Sequence, residues 1–403
     1  MWDMALYRRI NDCLRSMMPD PENDISQLRW KTSDLSVASC DELKNQWQAL
    51  ADDAREPNPF VDWYFVRSAA KHLNLQRGAL IFQVWSGDRL VGVMVFASNW
   101  SVGRLPVPVM ATLKHDYSFL GAPLIAGGFE NNFASALVEW LDAKPKSALG
   151  IYFVDQASNG PFMRAMMARE SKGERCYHRV HSFTRASQIF ADRSASTSQS
   201  FSPKKKLRAK FRKLNDLGSV KFEVLSDQQF LSAWIDEFLL MEAQSWKSLG
   251  GTAVANNASH EAFFRNVLAD AFTLGKLRFC RLSLDEKAIA YSFDLLHNRE
   301  AFAIKIAHDR ALDKYSPGVL LEQANLNDLV ANKIVRSIDS CAAEDHPVLN
   351  GLWAERKEIV QYVVSGKSII GRAWIGFIIW ASDFSRVLRA KVSSFKRRQA
   401  NEK

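Results

Sequence analysis

The sequence predicts an α+β protein made of two tandem units of similar order, with a helix added at each end. Three observations predict it. The first is a hairpin pattern that occurs once in each half: "ALIFQVWS" (79–86), "GD" and "RLVGVMVFASNW" (89–100), then "LRFCRLSL" (277–284), "DE" and "KAIAYSFDLL" (287–296). The second is that helical spacing precedes each hairpin, over 58–73 in one half and over 228–246 and 260–275 in the other. The third is that each hairpin leads into a turn-rich joint, "HDYSFLGAPLI" (115–125) or "HDRALDKYSPGVLL" (308–321), and then a short strand, 150–155 or 335–340.

Taken in order, "MWDMALYRRINDCLRSMM" lacks an uninterrupted apolar run and a small-residue cleavage site, so it reads as an amphipathic helix rather than a signal peptide. Residues 1–30 are assigned to this helix, 31–190 to the first unit, 191–215 to a linker and basic helix, 216–365 to the second unit and 366–403 to a tail. The boundary rests on "ADRSASTSQSFSP" (191–203), rich in serine and poor in large apolar residues. After it, "SPKKKLRAKFRK" (202–213) holds seven basic residues and no acidic one, while Leu207, Phe211 and Leu214 form a stripe that can dock on a domain and leave the cations in water.

Composition excludes several classes. With 47% hydrophobic and 24% charged residues over 403 positions, the chain is globular and long enough for two or three domains. Five scattered cysteines without a C-x-x-C pair argue for a reducing compartment, the cytoplasm, and against a disulfide framework or a zinc site. The apolar run 373–381 falls far short of the roughly 20 residues of a membrane span. No nucleophile elbow, Walker loop or Rossmann fingerprint is present, so hydrolase, kinase and dehydrogenase readings lose support.

The joint at 308–329 bears most on chemistry. "EAFAIKIA" (300–307) reads as a strand; Ser316 is a preferred N-cap, Pro317 suits the first helical position, and Val319, Leu320, Leu321, Ala324, Leu326 and Leu329 make an apolar helix face. A helix start offers free N–H groups and a positive dipole end, which suits an anion such as a diphosphate.

With "SPKKKLRAKFRKLNDLGSVKFEV" (202–224), "EAQSWKSLGGTA" (242–253) and "KIAHDRALDKYSPGVLLE" (305–322) in this order, residues 55–365 resemble the GNAT acyltransferase superfamily, specifically its tandem CelD-like branch, which is similar to the Fem-type peptidyltransferases. The resemblance implies two GNAT-like domains, each with a mixed, mostly antiparallel sheet flanked by helices, and acetyl-coenzyme A or another acyl-coenzyme A as co-substrate, with no metal. It implies that Lys305, Ile306 and Ala307 line the pantetheine and that Ser316, Pro317, Gly318, Val319 and Leu320 face the diphosphate. The first half, with "GAP" (121–123) in place of "SPG", is then a degenerate copy that shapes the acceptor cleft. The chain departs from the family in having Gly318 alone where several glycines are usual, and in having Leu349 and Asn350 where a tyrosine and lysine are common, though Asp345 and Trp353 are kept.

Acyl transfer to an amine or hydroxyl needs a neutral nucleophile, donors for the developing oxyanion and a proton for the leaving thiolate. Strand N–H groups beside Ile306 can serve the oxyanion. Asp309 or Glu242 can relay a proton, or else cap a loop and charge a helix surface; Tyr315 can protonate the thiolate, or else pack. Trp246 and Lys247, ahead of a glycine pair, can hold a sugar or carboxylate, or else end a helix in the core.

The tail "SIIGRAWIGFIIWASDFSRVLRAKVSSFKRRQ" (368–399) combines aromatic and branched residues with six cations toward its end, a pattern for peripheral contact with the inner membrane or for docking on the protein itself. The expected function is transfer of an acyl group from coenzyme A to the nitrogen or oxygen of a small-molecule or glycan-like acceptor, in envelope or exopolysaccharide biosynthesis. Nucleic acid is not expected as a partner. Fem-like transfer from aminoacyl-tRNA, with the basic helix as its contact, and a non-catalytic scaffold for polysaccharide machinery are the alternatives.

Overall fold

The computed structural model describes residues 28–39, 41–75, 78–99, 101–102, 106–143, 148–170, 173–190, 205–244, 254–344, 346, 348–378 and 380. The serine-rich linker and the helix expected over 1–30 lie outside them, except that 28–30 begin a strand and not a helix. The first half of the chain supplies β1 (Leu28–Asp34), β2 (Leu80–Ser86), β3 (Arg89–Asn99), β4 (Val109–Thr112), β5 (Leu124–Ile125), β6 (Gly150–Ala157) and β7 (Tyr177–Ile189). The second supplies β8 (Val220–Val224), β9 (Leu277–Leu284), β10 (Lys287–His297), β11 (Glu300–His308), β12 (Ser337–Asp339) and β13 (Glu355–Ser365).

All of them join one mixed sheet in the order β1-β2-β3-β4-β6-β13-β7-β12-β11-β10-β9-β8, with β5 on β3. The order is a palindrome with a crossing at its centre. Each half contributes five strands outward from the middle, but β13 from the second half lies against β6 of the first, and β7 from the first lies against β12 of the second. These two crossed strands pair with each other from Glu355↔Ser187 to Val364↔Tyr177. The only parallel pairs among the described strands, β4 with β6 and β11 with β12, occupy corresponding places in the two halves.

The expected hairpins over 79–100 and 277–296 are β2–β3 and β9–β10, because turn chemistry and alternation both favour them. In the β9–β10 turn Asp285 and Glu286 have φ of 48° and 67°, and in the β10–β11 turn Asn298 and Arg299 have 43° and 64°; two consecutive positive φ values match the twist of the strands they join.

The helices are α1 (Asp41–Asp53), α2 (Trp63–His72), α3 (Glu130–Asp142), α4 (Pro161–Met167), α5 (Lys205–Asn215), α6 (Leu231–Ala243), α7 (Ala258–Thr273), α8 (Pro317–Ala331), α9 (Leu349–Leu352) and α10 over 369–378. Asp62 starts α2 by accepting from Trp63 N, and Asn257 starts α7 by accepting from Ser259 and His260 N. In α5 the docking stripe is narrower than its spacing implies: Leu207 and Leu214 are buried, but Phe211 is 43% exposed.

The first-half counterpart of the Ser316–Gly318 joint is not "GAP". Helix α3 opens at Glu130 after Gly127 and Gly128, the latter at φ +88°. Gly121 sits in an extended loop where a Cβ would stand 2.2 Å from the Val154 carbonyl, so a close backbone approach explains it. The inserted β5 displaces the helix start along the chain.

The main core runs through both halves. Phe60 meets Phe302 edge to face at 5.8 Å, and Phe65 of α2 meets Phe263 of α7 at 5.4 Å. At the crossing lies a buried ion network. Arg185 (β7) pairs with Asp339 (β12) at 2.7 Å and donates to the Phe119 carbonyl, while Lys357 (β13) reaches Asp339 at 3.0 Å and Glu300 (β11) at 3.4 Å.

Near it Glu56, half-buried as a residue, has Oε2 enclosed and without a hydrogen-bond partner. Burial pushes its carboxyl up to about 7, against the pull of Lys357. Between its ordinary value and about 7 the native state keeps a proton that the unfolded chain has lost, so this group's contribution to stability falls as pH rises through that window. Glu56→Gln keeps the shape and removes the ionisation. It is expected to be more stabilising at pH 8 than at pH 4.5, by roughly 3 kcal/mol at most, in paired urea titrations.

Candidate functional site

Strand β11 parts from β12 midway. The two pair only at Glu300↔Ser337, Ala301↔Ile338 and Phe302↔Asp339, and β11 then continues to His308. The divergence coincides with a β-bulge: Phe293↔Lys305 follows Asp294↔Ala303, so Ile304 is the extra residue. A bulge bends its strand and re-aims the residues beyond it. Ala303 to Ile306 are half-buried, as the wall of an open groove would be.

The ladder fixes where the backbone points. Asp309 N donates to the Ile289 carbonyl, and the antiparallel register places Ala307 opposite Tyr291. Alternation then turns the N–H and C=O of Ile306 and His308 away from β10, toward the edge that β12 has left. These are the donors a developing oxyanion needs.

Helix α8 opens at the end of the same strand. Ser316 occupies the N-cap position, but in the left-handed region, with φ 56° and ψ 55°, and its side chain makes no cap bond. It accepts instead from Lys210 Nζ of α5 at 2.5 Å. Val319 N and Leu320 N both bond to the Ser316 carbonyl, and Pro317 has no N–H. Gly318 N–H is left as the first-turn donor without an intrahelical acceptor. Gly318 is glycine for a packing reason too, since a Cβ there would lie 3.3 Å from His308 Nδ1 and 3.4 Å from Ile306 Cδ1. One lysine of the basic helix thus adds a cation to the positive end of α8, a contact that joins residues far apart in sequence.

The side chains of Val319 and Leu320 enter the core with Leu207, Leu214 and Ile289. Tyr315 is half-buried against that core, with Lys314 Nζ 4.9 Å above its ring. Asp309 accepts from Ala311 N and caps the turn at 310–315, with Lys287 at 4.0 Å. Of the two roles open to Asp309 in the sequence, loop cap and proton relay, the geometry displays the cap.

Glu242 is no surface charge. It is 1% exposed on α6, paired with Lys305 Nζ at 2.6 Å through Oε1 and accepting from Val254 N through Oε2. Lys305 also lies 6.0 Å from the ring of Tyr117, whose hydroxyl is 3.0 Å from His260 Nδ1. Burial, with Glu242 and Asp116 nearby, pushes the Tyr117 phenol up; burial, with Lys114 and His260, pushes His115 down to about 3 and keeps it neutral. Lys305, Tyr117 and His260 are therefore brought together beside β11. Trp246 and Lys247 lie outside the described residues.

Helix α8 buries polar residues the expected apolar face did not include. Glu322 sits near Asp294 and Asn325, and burial raises both carboxyls above their ordinary range. Lys210, His308, Tyr117 and His260 carried no local sequence signal. Each acquires its place from a partner in another segment.

Residues 202–346 match the family model described as Acetyltransferase (GNAT) domain. A conserved protein of unknown function from Bacteroides thetaiotaomicron VPI-5482 is similar in structure at 12% identity, covering 84% of this chain and 99% of that one, with a TM-score of 0.49. FemX is similar at 11% identity, with 79% and 95% covered and a TM-score of 0.49. A tandem GNAT protein from the clavulanic acid biosynthesis pathway is similar at 15% identity, with 85% and 99% covered and a TM-score of 0.41. No curated protein matches the chain.

Proposed function

We propose, from the match of residues 202–346 to the GNAT acetyltransferase domain model, that the chain is an acyl-coenzyme-A-dependent acyltransferase acting on an amine or hydroxyl of a small polar or glycan-like acceptor. One observation carries the reading. The edge of β11 freed at the bulge runs toward the start of α8, where the Gly318 N–H and the Lys210 ammonium stand, and this arrangement supports a thioester and a diphosphate bound along one strand edge.

The donor groups fit an acyl-coenzyme A. The co-substrate supplies the activated thioester when bound. The N–H groups of Ile306 and His308 donate to its carbonyl oxygen as negative charge develops there. The Gly318 N–H and Lys210 hold the diphosphate, and Ile306 gives the pantetheine an apolar wall. Lys305, locked to Glu242, presents a cation on the acceptor side, which favours an acceptor with an acidic or strongly polar group and opposes an ammonium until it loses its proton.

The test is calorimetric and thermal titration with acetyl-coenzyme A and longer acyl-coenzymes A, together with mass spectrometry of co-purifying nucleotide. Saturation at about 100 times the dissociation constant is expected to add roughly 2.7 kcal/mol of stability. Lys210→Ala is expected to weaken binding about tenfold through one lost charge-assisted contact, with little change in stability, because Lys210 bonds only a serine hydroxyl among the described residues. Binding of tRNA with a steep salt slope, and no response to acyl-coenzyme A, would instead support an aminoacyl-tRNA donor.

A further inference from the structure

Helix α10 presents a face that the body of the protein leaves open. Ile375 and Ile378 are buried with Val109, Tyr152 and Val363, which seats the helix on β4, β6 and β13. On the adjoining face Ile370, Trp374 and Phe377, spaced four and three apart, form one stripe and remain 63%, 44% and 47% exposed. The Trp374 and Phe377 rings meet edge to face at 5.9 Å, and Trp380, 61% exposed, continues the row.

Charge says what covers this face. Lys367 and Arg372 are exposed at its near end, and the sequence after Trp380 carries Arg386, Arg389, Lys391, Lys396, Arg397, Arg398 and Lys403 against Asp383 and Glu402. Two copies meeting through this face would bring the same cations together, which opposes self-association. An anionic lipid surface satisfies both parts, because indole and phenyl rings settle at headgroup depth while lysine and arginine reach the phosphates. No described helix is long and apolar enough to cross a bilayer, so the contact is peripheral. We propose that the α10 stripe docks the protein on a membrane of anionic phospholipid. This inference does not depend on the donor site.

The test is co-sedimentation of the full chain with vesicles of phosphatidylcholine containing about one-third phosphatidylglycerol. Partitioning is expected to exceed that on pure phosphatidylcholine at least tenfold, and to fall steeply as salt rises from about 0.1 M to about 1 M. Trp374→Ser with Phe377→Ser is expected to reduce it about tenfold or more while the thermal midpoint holds, since Ile375 and Ile378 keep the helix seated. If that variant misfolds, Lys396→Glu with Arg397→Glu, which reverses two charges of the basic sequence after Trp380, should abolish the preference for anionic vesicles. Three results would overturn the proposal. They are equal binding to neutral and anionic vesicles, a lipid-free dimer that the serine variant splits, and radical footprinting that finds Trp374 and Phe377 already covered in the lipid-free monomer.

Discussion

Arg185→Met is expected to lower folding stability by about 3–5 kcal/mol, read as a reduced urea midpoint. The reason is what it leaves behind. Asp339 is fully buried and takes its charge compensation from Arg185 at 2.7 Å and Lys357 at 3.0 Å. Removing the guanidinium strands a carboxylate, and it also frees the Phe119 carbonyl that Arg185 Nη1 holds at 2.7 Å. Arg185→Met combined with Asp339→Leu is expected to recover part of the loss, because the uncompensated charge is gone while Lys357 keeps Glu300.

The pair also sets an acid dependence. Burial by itself would raise the Asp339 carboxyl, but the Arg185 and Lys357 cations outweigh it and hold the group well below the ordinary carboxylate range. A carboxyl depressed in the native state contributes fully above its unfolded value, about 4, and loses that contribution as pH falls. The gap between wild type and Arg185→Met should therefore narrow below about pH 4. A gap that stays constant down to the acid transition would show that the pair's contribution is not ionic.

Gly318→Glu is expected to weaken acetyl-coenzyme A binding at least hundredfold, about 2.7 kcal/mol, and, because the site is packed, to cost the fold about 1–3 kcal/mol that a urea midpoint reads separately. The two effects separate because a carboxylate in the first turn suits the helix dipole and Lys210, yet it fills the place proposed for the diphosphate and repels it. Gly318→Ala is the control. Its Cβ requires His308 and Ile306 to give by a few tenths of an ångström, which offsets the gain of up to about 1 kcal/mol that alanine brings to a helix. Binding by this variant should stay within a few-fold of wild type. A glutamate variant that binds as wild type does would place the diphosphate elsewhere.

Much of the scaffold is legible in the sequence because its signals are local. Alternation and turn residues mark 79–100 and 277–296 as hairpins, and they are β2–β3 and β9–β10. The proline and glycine at 317–318 mark a helix start, and α8 begins there. Contacts across the chain leave no such mark. Order along the sequence pairs "GAP" with "SPG", but β5 intervenes and the helix starts at Glu130. Glu242 stays open between surface charge and base, because nothing in "LLMEAQSW" shows that Lys305 will sit 2.6 Å away.

The sequence by itself determined the pieces and their order: strand, hairpin and helix, twice over, with one joint suited to an anion. Tertiary structure alone decided which strands became neighbours. The alternation along 177–189 or 355–365 is satisfied by any partner that buries one face, so nothing local foretells that β7 and β13 exchange halves. The same holds for the proposed site, whose neighbours meet because β11 leaves β12 after three residue pairs and because Lys210 and Tyr117 arrive from other segments. Periodicity encodes which face is buried, whereas the partner of that face is selected by packing over the whole chain.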